Sequence, residues 1–453
     1  MPRVLLVSPH FPPDTSAGAH RVRLLAPHLP AHGWEPTVLT VDPRDYEGRL
    51  DPGLASLVPA ELRVVRCRAW PARWTRRIGI GDLGLRAFAG LRRACADLLR
   101  RERFDALFIT IYPTYPALLG PILKRQFGVP FVLDYQDPWV GAWGEAVGAG
   151  PNGRPDIKSR LTRAVARRLE PRAVRAADAI TTVSAPTWDA LRRRYPELGT
   201  IACAVIPVGG EPADFARLRR EPRPNPYFDA ADGATHLCYV GTLLPLGFEV
   251  LRALLGAVRL LRQRGPGRYE RLHLHFFGTS NQTRPDAAAR VLPVARELGV
   301  ADRVSEIAPR IDYLDALTVQ VQATAILMLG SSEAHYTASK LYPALLAGKP
   351  ILAIHHGESS VVEILRRAAP PPMARVITYT DAERAESRVD AICGALSALI
   401  DHPGHDPAVG GRAAARGEAS GYGEFSAAAL AGKLAAILEH ARGRTSRSAT
   451  AGR

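Results

Sequence analysis

Apolar residues in this chain gather in short runs rich in β-branched and aliphatic side chains, with longer stretches of helical character between them. In the first half the runs are VLLVS, PTVLTV, RVVRC, ALFITI, PFVLDY and AITTVS. In the second half they are HLCYVG, LHLHFFG, VSEIA, AILMLG, PILAIH and RVITYT. Strands that are apolar nearly throughout, instead of alternating, are buried on both faces, as in parallel sheets. The alternation of strand and helix predicts βα units, and it occurs twice. The fold class expected is therefore α/β, with two doubly wound, Rossmann-like domains and right-handed crossovers.

The break between the two halves is placed at Gly209–Gly233. This stretch includes EPRPNPYFDAADG, whose prolines, aspartates and asparagine suit an exposed hinge. The division expected is 1–208 for the first domain, 209–233 for the linker and 234–420 for the second domain. Phe425 to Leu438 has helical spacing, so 421–441 is expected to be a helix packing back on the first domain. The basic stretch RGRTSRSATAGR, residues 442–453, reads as a disordered tail.

Composition narrows the class. With 453 residues, 47% of them hydrophobic, the chain can bury two large cores. Cys67, Cys95, Cys203, Cys238 and Cys393 are far apart, without metal-ligand or disulfide-framework spacing, which points to a reducing compartment. MPRVLLVSPHF is too short in its apolar part for a signal peptide and reads as a first strand. Ala106–Leu123 has no acidic or basic residue over the length of a short membrane span. Its prolines Pro113, Pro116 and Pro121 instead indicate a strand, a loop and a helix start.

The formal net charge of +15 suits nucleic acid, an anionic membrane face or a phosphate-rich substrate. The arginines are scattered and no recognition module is present, so nucleic acid is not expected as a partner. Arg73–Arg101, RWTRRIGIGDLGLRAFAGLRRACADLLRR, mixes arginines with Trp, Ile, Leu and Phe. It fits either a surface docked on anionic lipid or an ordinary amphipathic helix with solvated arginines.

Ligands of open α/β sheets bind beyond the carboxyl ends of the strands, so the loops that follow strands hold the candidate residues. After the first strand, SPHFPPDTSAGAHRVRLL offers His10, Gly18 at a helix start, and Arg21. In FVLDYQDPW, Asp134 and Asp137 can accept hydrogen bonds from hydroxyls or act as a base, with Trp139 beside them. In the second half, Gly241 and Thr242 follow one strand and Gly278 another. SKLYPALLAGKP places Ser339, Lys340 and Leu341 at the start of a short helix that Gly348 caps, and GESS puts Glu358 and Ser359 at the start of the next. Two helix N-termini at successive βα turns suit an anion with more than one phosphate. No G-x-x-x-x-G-K-[ST] and no G-x-S-x-G is present, which excludes a P-loop NTPase and argues against an α/β-hydrolase. No D-x-D or His/Asp/Glu cluster suggests a metal, so phosphate charge would be met by helix dipoles and basic residues.

These residues resemble the motifs of a GT-B glycosyltransferase of the family 4-like kind. FPPDTSAGAHRVRLLAPHLPAHGWEPTVLT resembles that family's glycine loop, first helix and second strand. VLDYQDPW resembles its acceptor-domain aspartate motif, and RLEPRAVRAADAITTVS with VIPVGGEPADF its approach to the hinge. YVGTLLP, HFFGTS and SKLYPALLAGKPILA resemble its donor-domain motifs. The resemblance spans most of the chain and implies two Rossmann-like domains facing across a cleft. It implies a nucleotide-diphospho-sugar as co-substrate in the second domain, and a sugar, lipid-linked or small-molecule acceptor in the first. It further implies transfer with retention of configuration, no cofactor and no metal, in polysaccharide, glycolipid or natural-product glycosylation. Asp137, Lys340 and His10 then take the catalytic roles. Gly241, Thr242, Gly278, Glu333, Ser339, Lys340, Leu341, Glu358 and Ser359 bind the donor, and Gly18, Arg21, Asp134 and Trp139 the acceptor. Where relatives carry a Glu-x7-Glu pair, this chain has His335 and Pro343, with Glu333 close by. The loop GTLLPLG also lacks the basic residues usual there. A cytoplasmic enzyme follows, with peripheral contact to the inner membrane face as an extension. A non-catalytic GT-B scaffold and a GT-B nucleotide-sugar epimerase are the alternatives.

Overall fold

The computed structural model describes residues 1–140, 157–280, 282–331, 339–369, 371, 373–402 and 422–450. The chain divides into two compact units, 1–208 with 427–453, and 209–426. Each is built on one parallel sheet.

The first unit contains β1 (Arg3–Val7), β2 (Glu35–Val41), β3 (Arg63–Cys67), β4 (Ala106–Thr110), β5 (Phe131–Tyr135), β6 (Ala179–Thr182) and β7 (Ala202–Val205). Their order is β3-β2-β1-β4-β5-β6-β7, with every pairing parallel. Leu5 lies beside Thr37 on one side and Leu107 on the other. Successive side chains of a strand point to opposite faces, and β1 shows it. Val4 and Leu6 join the cluster on one face, and Leu5 and Val7 that on the other. Both faces are covered over the central strands, which is why their runs are nearly all apolar, while the edge strand β3 keeps exposed arginines.

The helices that matter most here are α1 (Ala19–Leu25), α2 (Leu83–Arg101), α3 (Pro212–Arg220), α4 (Leu341–Leu346), α5 (Ser360–Ala368) and α6 (Ala427–Thr450). Asp82 caps α2 by accepting a bond from the Leu85 amide. Leu83, Ala87, Leu91, Cys95 and Leu98 then form a buried stripe against the Leu5 face. On the Leu6 face, α6 contributes Leu430, Leu434 and Leu438, all fully buried. The helix runs on to Thr450, over residues 442–450 that read as tail in the sequence.

The second unit contains β8 (Thr235–Val240), β9 (Leu272–Phe277), β10 (Val304–Ile307), β11 (Ala325–Leu329), β12 (Ile351–His356) and β13 (Ala374–Tyr379). Their order is β10-β9-β8-β11-β12-β13, again parallel throughout. Residues 209–233 belong to this unit and hold α3, capped by the Glu211 side chain. Asp214, Phe215 and Leu218 of α3 are buried, and Tyr313 donates a 2.9 Å bond to Asp214. The stretch expected as a hinge is thus structured in its first half.

Removing a buried side chain of α6 leaves a cavity under the Leu6 face. Leu434→Ala is expected to destabilise the first unit by about 2–5 kcal/mol, seen as a lower urea midpoint. An unchanged midpoint would show that α6 does not complete this core.

Candidate functional site

In the first unit the loop from Ser8 to Gly18 leaves the carboxyl end of β1. The Nδ1 of His10 bonds the Asp14 carboxylate, which also takes the Ser16 hydroxyl at 2.6 Å. Burial alone would raise the Asp14 carboxyl, but the bonds from His10 and Ser16 hold it below its usual value. With Nδ1 committed, Nε2 is the ring nitrogen left to meet a ligand. The imidazole lies between two tyrosines, stacked 6.2 Å from Tyr46 and tilted at 5.5 Å from Tyr112. Asp82, raised by burial, is close enough for its charge interaction with His10 to count against that rise. Asp14, Tyr46, Tyr112 and Asp82 were not singled out from the sequence. The signal for Asp14 was there: it lies four residues beyond His10 in one polar loop.

Gly18 has ordinary helical dihedrals, so conformational freedom is not why it is glycine. A Cβ there would lie 2.3 Å from Cδ1 of Tyr112. The close approach expected of a ligand is made by the protein's own ring.

Arg21 and Asp134, expected at the acceptor, are completely buried and turned on each other. Arg21 Nε and Nη2 donate to the two Asp134 oxygens at 2.9 and 2.6 Å. Nη1 donates to the carbonyls of Ile206 and Pro207 at 2.7 and 2.9 Å, and Thr181 adds a 2.7 Å bond to Asp134. This corrects the reading of both residues, because both side chains are wholly buried and every polar atom of each is engaged within the fold. Trp139 also turns inward in part. It meets Tyr115 edge-on at 5.8 Å and packs on the first unit's core. Asp137 is exposed in the loop after β5, while the protein crowded around it raises its carboxyl above the usual value. No bond or charge interaction among the described residues joins Asp137 to His10.

The second unit brings several expected residues together. Gly241 directly follows β8 and donates to the Phe277 carbonyl at 2.9 Å. A Cβ at Gly241 would come within 3.4 Å of Lys340 Cγ and 3.6 Å of Cε, so the lysine stem lies against this glycine. Beside them, Thr242 accepts a 3.1 Å bond from the Tyr239 hydroxyl. Gly278 has φ +70°, a left-handed turn that suits glycine, and it donates to Ile307 at 2.8 Å. A Cβ on it would lie 3.9 Å from the Arg310 Cα. Desolvation, aided by the like charge of Arg310, lowers the Lys340 ammonium to about 8. Solvent still reaches the side chain, so the shift comes from the protein around Lys340 rather than from enclosure. Arg310 was not anticipated, although it lies in the loop just after β10.

Other donor candidates have local duties. Leu341 is 1% exposed and part of the core, so only its backbone is available. Lys340 itself is the N-cap of α4, which is only six residues long and contains Pro343. Ser339 precedes it in a turn. Ser359 is buried and caps α5, accepting from the Val361 amide, while Glu358 is exposed and donates its own amide to His356 Nδ1. Glu333 and His335 lie outside the described residues. Among the described residues no group of three or more His, Cys, Asp or Glu is placed to hold a metal.

Residues 16–209 match the family model of the glycosyl transferase 4-like domain. No curated protein matches the chain. Among solved structures, the chain is similar to a UDP-forming α,α-trehalose-phosphate synthase from Burkholderia xenovorans, in complex with glucose-6-phosphate. The TM-score is 0.61 at 12% identity, over 96% of this chain and 100% of that one. It is similar to HepE of Anabaena in complex with UDP-glucose, with a TM-score of 0.52 at 14% identity over 99% of each chain. It is also similar to a putative UDP-N-acetylglucosamine 2-epimerase from Listeria monocytogenes, with a TM-score of 0.53 at 12% identity over 96% and 95%. The fold is the two-domain Rossmann-like GT-B fold, and the residues that match the glycosyl transferase 4-like model span most of its first unit.

Arg21→Ala leaves the Asp134 carboxylate buried without its cation. It is expected to cost about 3–5 kcal/mol in urea unfolding. The double variant Arg21→Met with Asp134→Leu is expected to recover much of that loss, because no charge then remains inside. Equal losses in the two variants would show that the pair's charge is not what matters.

Proposed function

We propose that this protein is a glycosyltransferase that moves a sugar from a nucleoside-diphospho-sugar to a hydroxyl acceptor. The observation that carries the reading is the floor formed by Gly241, Gly278, Arg310 and Lys340 at the strand ends of the second unit. Two cationic side chains stand there beside two glycines that add no side-chain bulk of their own, which suits a diphosphate. As the glycosidic bond to phosphate breaks, negative charge grows on the leaving oxygen. In this reading Lys340 and Arg310 stabilise it more in the transition state than in the ground state. Because the positive charge comes from the protein, the proposed transfer proceeds without a metal ion and persists in chelator.

The proposal includes retention of anomeric configuration, in which the leaving phosphate accepts the proton of the incoming hydroxyl. His10, oriented by Asp14, and Asp137 hold the acceptor from the first unit. A uridine nucleotide is the first donor to test, since HepE and the B. xenovorans synthase carry UDP in their names or complexes. The products proposed are cell-surface polysaccharide, glycolipid or glycosylated natural product, made in the cytoplasm. The Listeria neighbour supports a second reading, epimerisation of the nucleotide sugar itself. Incubation with UDP-, GDP- and TDP-sugars separates the two. Transfer or slow hydrolysis belongs to a transferase, and a new free nucleotide sugar to an epimerase.

Lys340→Ala is expected to weaken UDP binding at least about tenfold, as loss of a charge-assisted bond would, while the melting temperature without ligand stays unchanged. Unchanged affinity would remove Lys340 from the site. The lowered ammonium gives a second signature. Above pH 8 the free side chain loses its proton, so UDP affinity is expected to fall as pH rises past that value. Titration calorimetry should show the fall in the unaltered protein and a flatter profile in Lys340→Ala.

A further inference from the structure

The basic segment singled out in the sequence splits in two once folded. The apolar stripe of α2 is consumed by the core, so that helix has no face to offer a membrane. The residues just before it behave differently. Trp70 is 63% exposed, Trp74 56% and Ile78 69%, with Leu85 at 37% on the first turn of α2. No other stretch of the described residues gathers exposed large hydrophobics so densely.

The side chains are presented on a fixed frame. Helical turns at Ala72–Thr75 and Arg76–Ile78 form the segment, with Thr75 buried beneath them. The Trp70 amide donates to the Arg86 carbonyl at 3.0 Å, and Arg86 Nε returns a 2.8 Å bond to the Trp70 carbonyl. The Ile80 amide donates to Thr75 at 2.9 Å. Tryptophans this exposed on an ordered frame face a cost in water that an interface with lipid removes.

Charge decides what kind of surface fits. Arg73, Arg76 and Arg77 are exposed around the tryptophan. The guanidinium carbons of Arg73 and Arg77 lie 5.8 and 5.1 Å from the Trp74 ring centre. The nearby acids have other work. Glu47 pairs with Arg76 and Arg86, Asp45 with Arg68, and Asp82 caps α2. Among the described residues Arg73 and Arg77 have no carboxylate partner. Trp and Ile set among unneutralised arginines match the headgroup region of an anionic bilayer, where rings sit at the interface and guanidinium groups meet phosphate.

We infer that Trp70, Trp74 and Ile78, with Arg73 and Arg77, dock this protein on an anionic lipid surface. The segment follows β3, and in a parallel sheet all carboxyl ends share one edge, so it belongs to the same edge as the His10 loop. Tyr46, which stacks on His10, directly precedes Glu47, which holds Arg76. If the proposed transfer is right, docking here brings the acceptor site to the membrane face and favours a lipid-linked hydroxyl acceptor. That last clause rests on the function proposed above, whereas the docking itself does not.

The test is co-sedimentation of the full chain with phosphatidylcholine vesicles, with and without phosphatidylglycerol, at about 50 and about 150 mM salt. Binding is expected only to the anionic vesicles, weaker at the higher salt, with a blue shift of tryptophan emission. The triple variant Trp70→Ala, Trp74→Ala, Ile78→Ala should lose at least about tenfold in partitioning. Arg73→Glu with Arg77→Glu should abolish the preference for anionic lipid. Both variants should keep the far-UV spectrum and melting temperature, and both should respond to UDP as the unaltered protein does. Absence of binding at both salts, or binding untouched by both variants, overturns the inference. So does a dimer in light scattering that the triple variant breaks, since the patch would then belong to a second copy. Vesicle binding without any response to UDP would count against the donor reading and leave the docking surface standing.

Discussion

A guanidinium wholly removed from water must find a partner for its charge and acceptors for its N–H groups inside the protein. Arg21 finds them in Asp134 and in the carbonyls of Ile206 and Pro207. Four pieces of chain are drawn to one point. They are α1, the end of β5, β6 through Thr181, and the segment that leaves β7. The last of these matters most, because the first unit ends at Val208, two residues after Ile206. The ion pair thus fixes where the chain quits the first sheet. It also positions the loop between β1 and α1, which carries His10, since α1 cannot rotate without stranding a buried charge.

The second unit treats its cation in the opposite way. Lys340 is crowded by protein and repelled by Arg310, and its ammonium is held near 8. Nothing of the Asp134 kind meets it among the described residues. Arg21 is a charge fully satisfied by its own fold, and Lys340 is one kept costly within reach of solvent. Perturbed groups of the second sort cluster where a ligand completes the site, which is the physical difference between the two basic residues.

The strands were legible because a parallel sheet buried on both faces writes itself as uninterrupted apolar runs, and every run named from the sequence forms a strand. The strand not foreseen, β7, has the sequence ACAV, lies at the sheet edge and is half-exposed, so no apolar run marks it. The site was less legible. The setting of Gly241, Gly278 and Lys340, just beyond a strand or at a helix start, was readable from position. Arg21 and Asp134 occupy equivalent positions, and what separates them from ligand-binding residues is a pairing across 113 positions. Gly18 poses the same difficulty, because the ring that requires it belongs to Tyr112. Strand-end position marks where a site can be, but only tertiary contacts reveal which of its residues are already taken.

The same accounting changes how the proposed diphosphate would be held. The pattern of loops and helices suggested two helix dipoles aimed at one anion. In the folded chain α4 is six residues long, and Pro343 removes one of the amides near its start. So short a helix sums few peptide dipoles. At α5 the Ser359 side chain already satisfies one of the free amides. Less positive potential is therefore left from the backbone than the sequence implied, and side-chain charge must supply the difference. Gly241 lies against the Lys340 stem, and Gly278, whose φ of +70° suits glycine, lies near the Arg310 backbone. Both glycine amides are already spent on Phe277 and Ile307, so side-chain charge from Lys340 and Arg310, and not a free N–H at either glycine, is what these strand ends offer an anion.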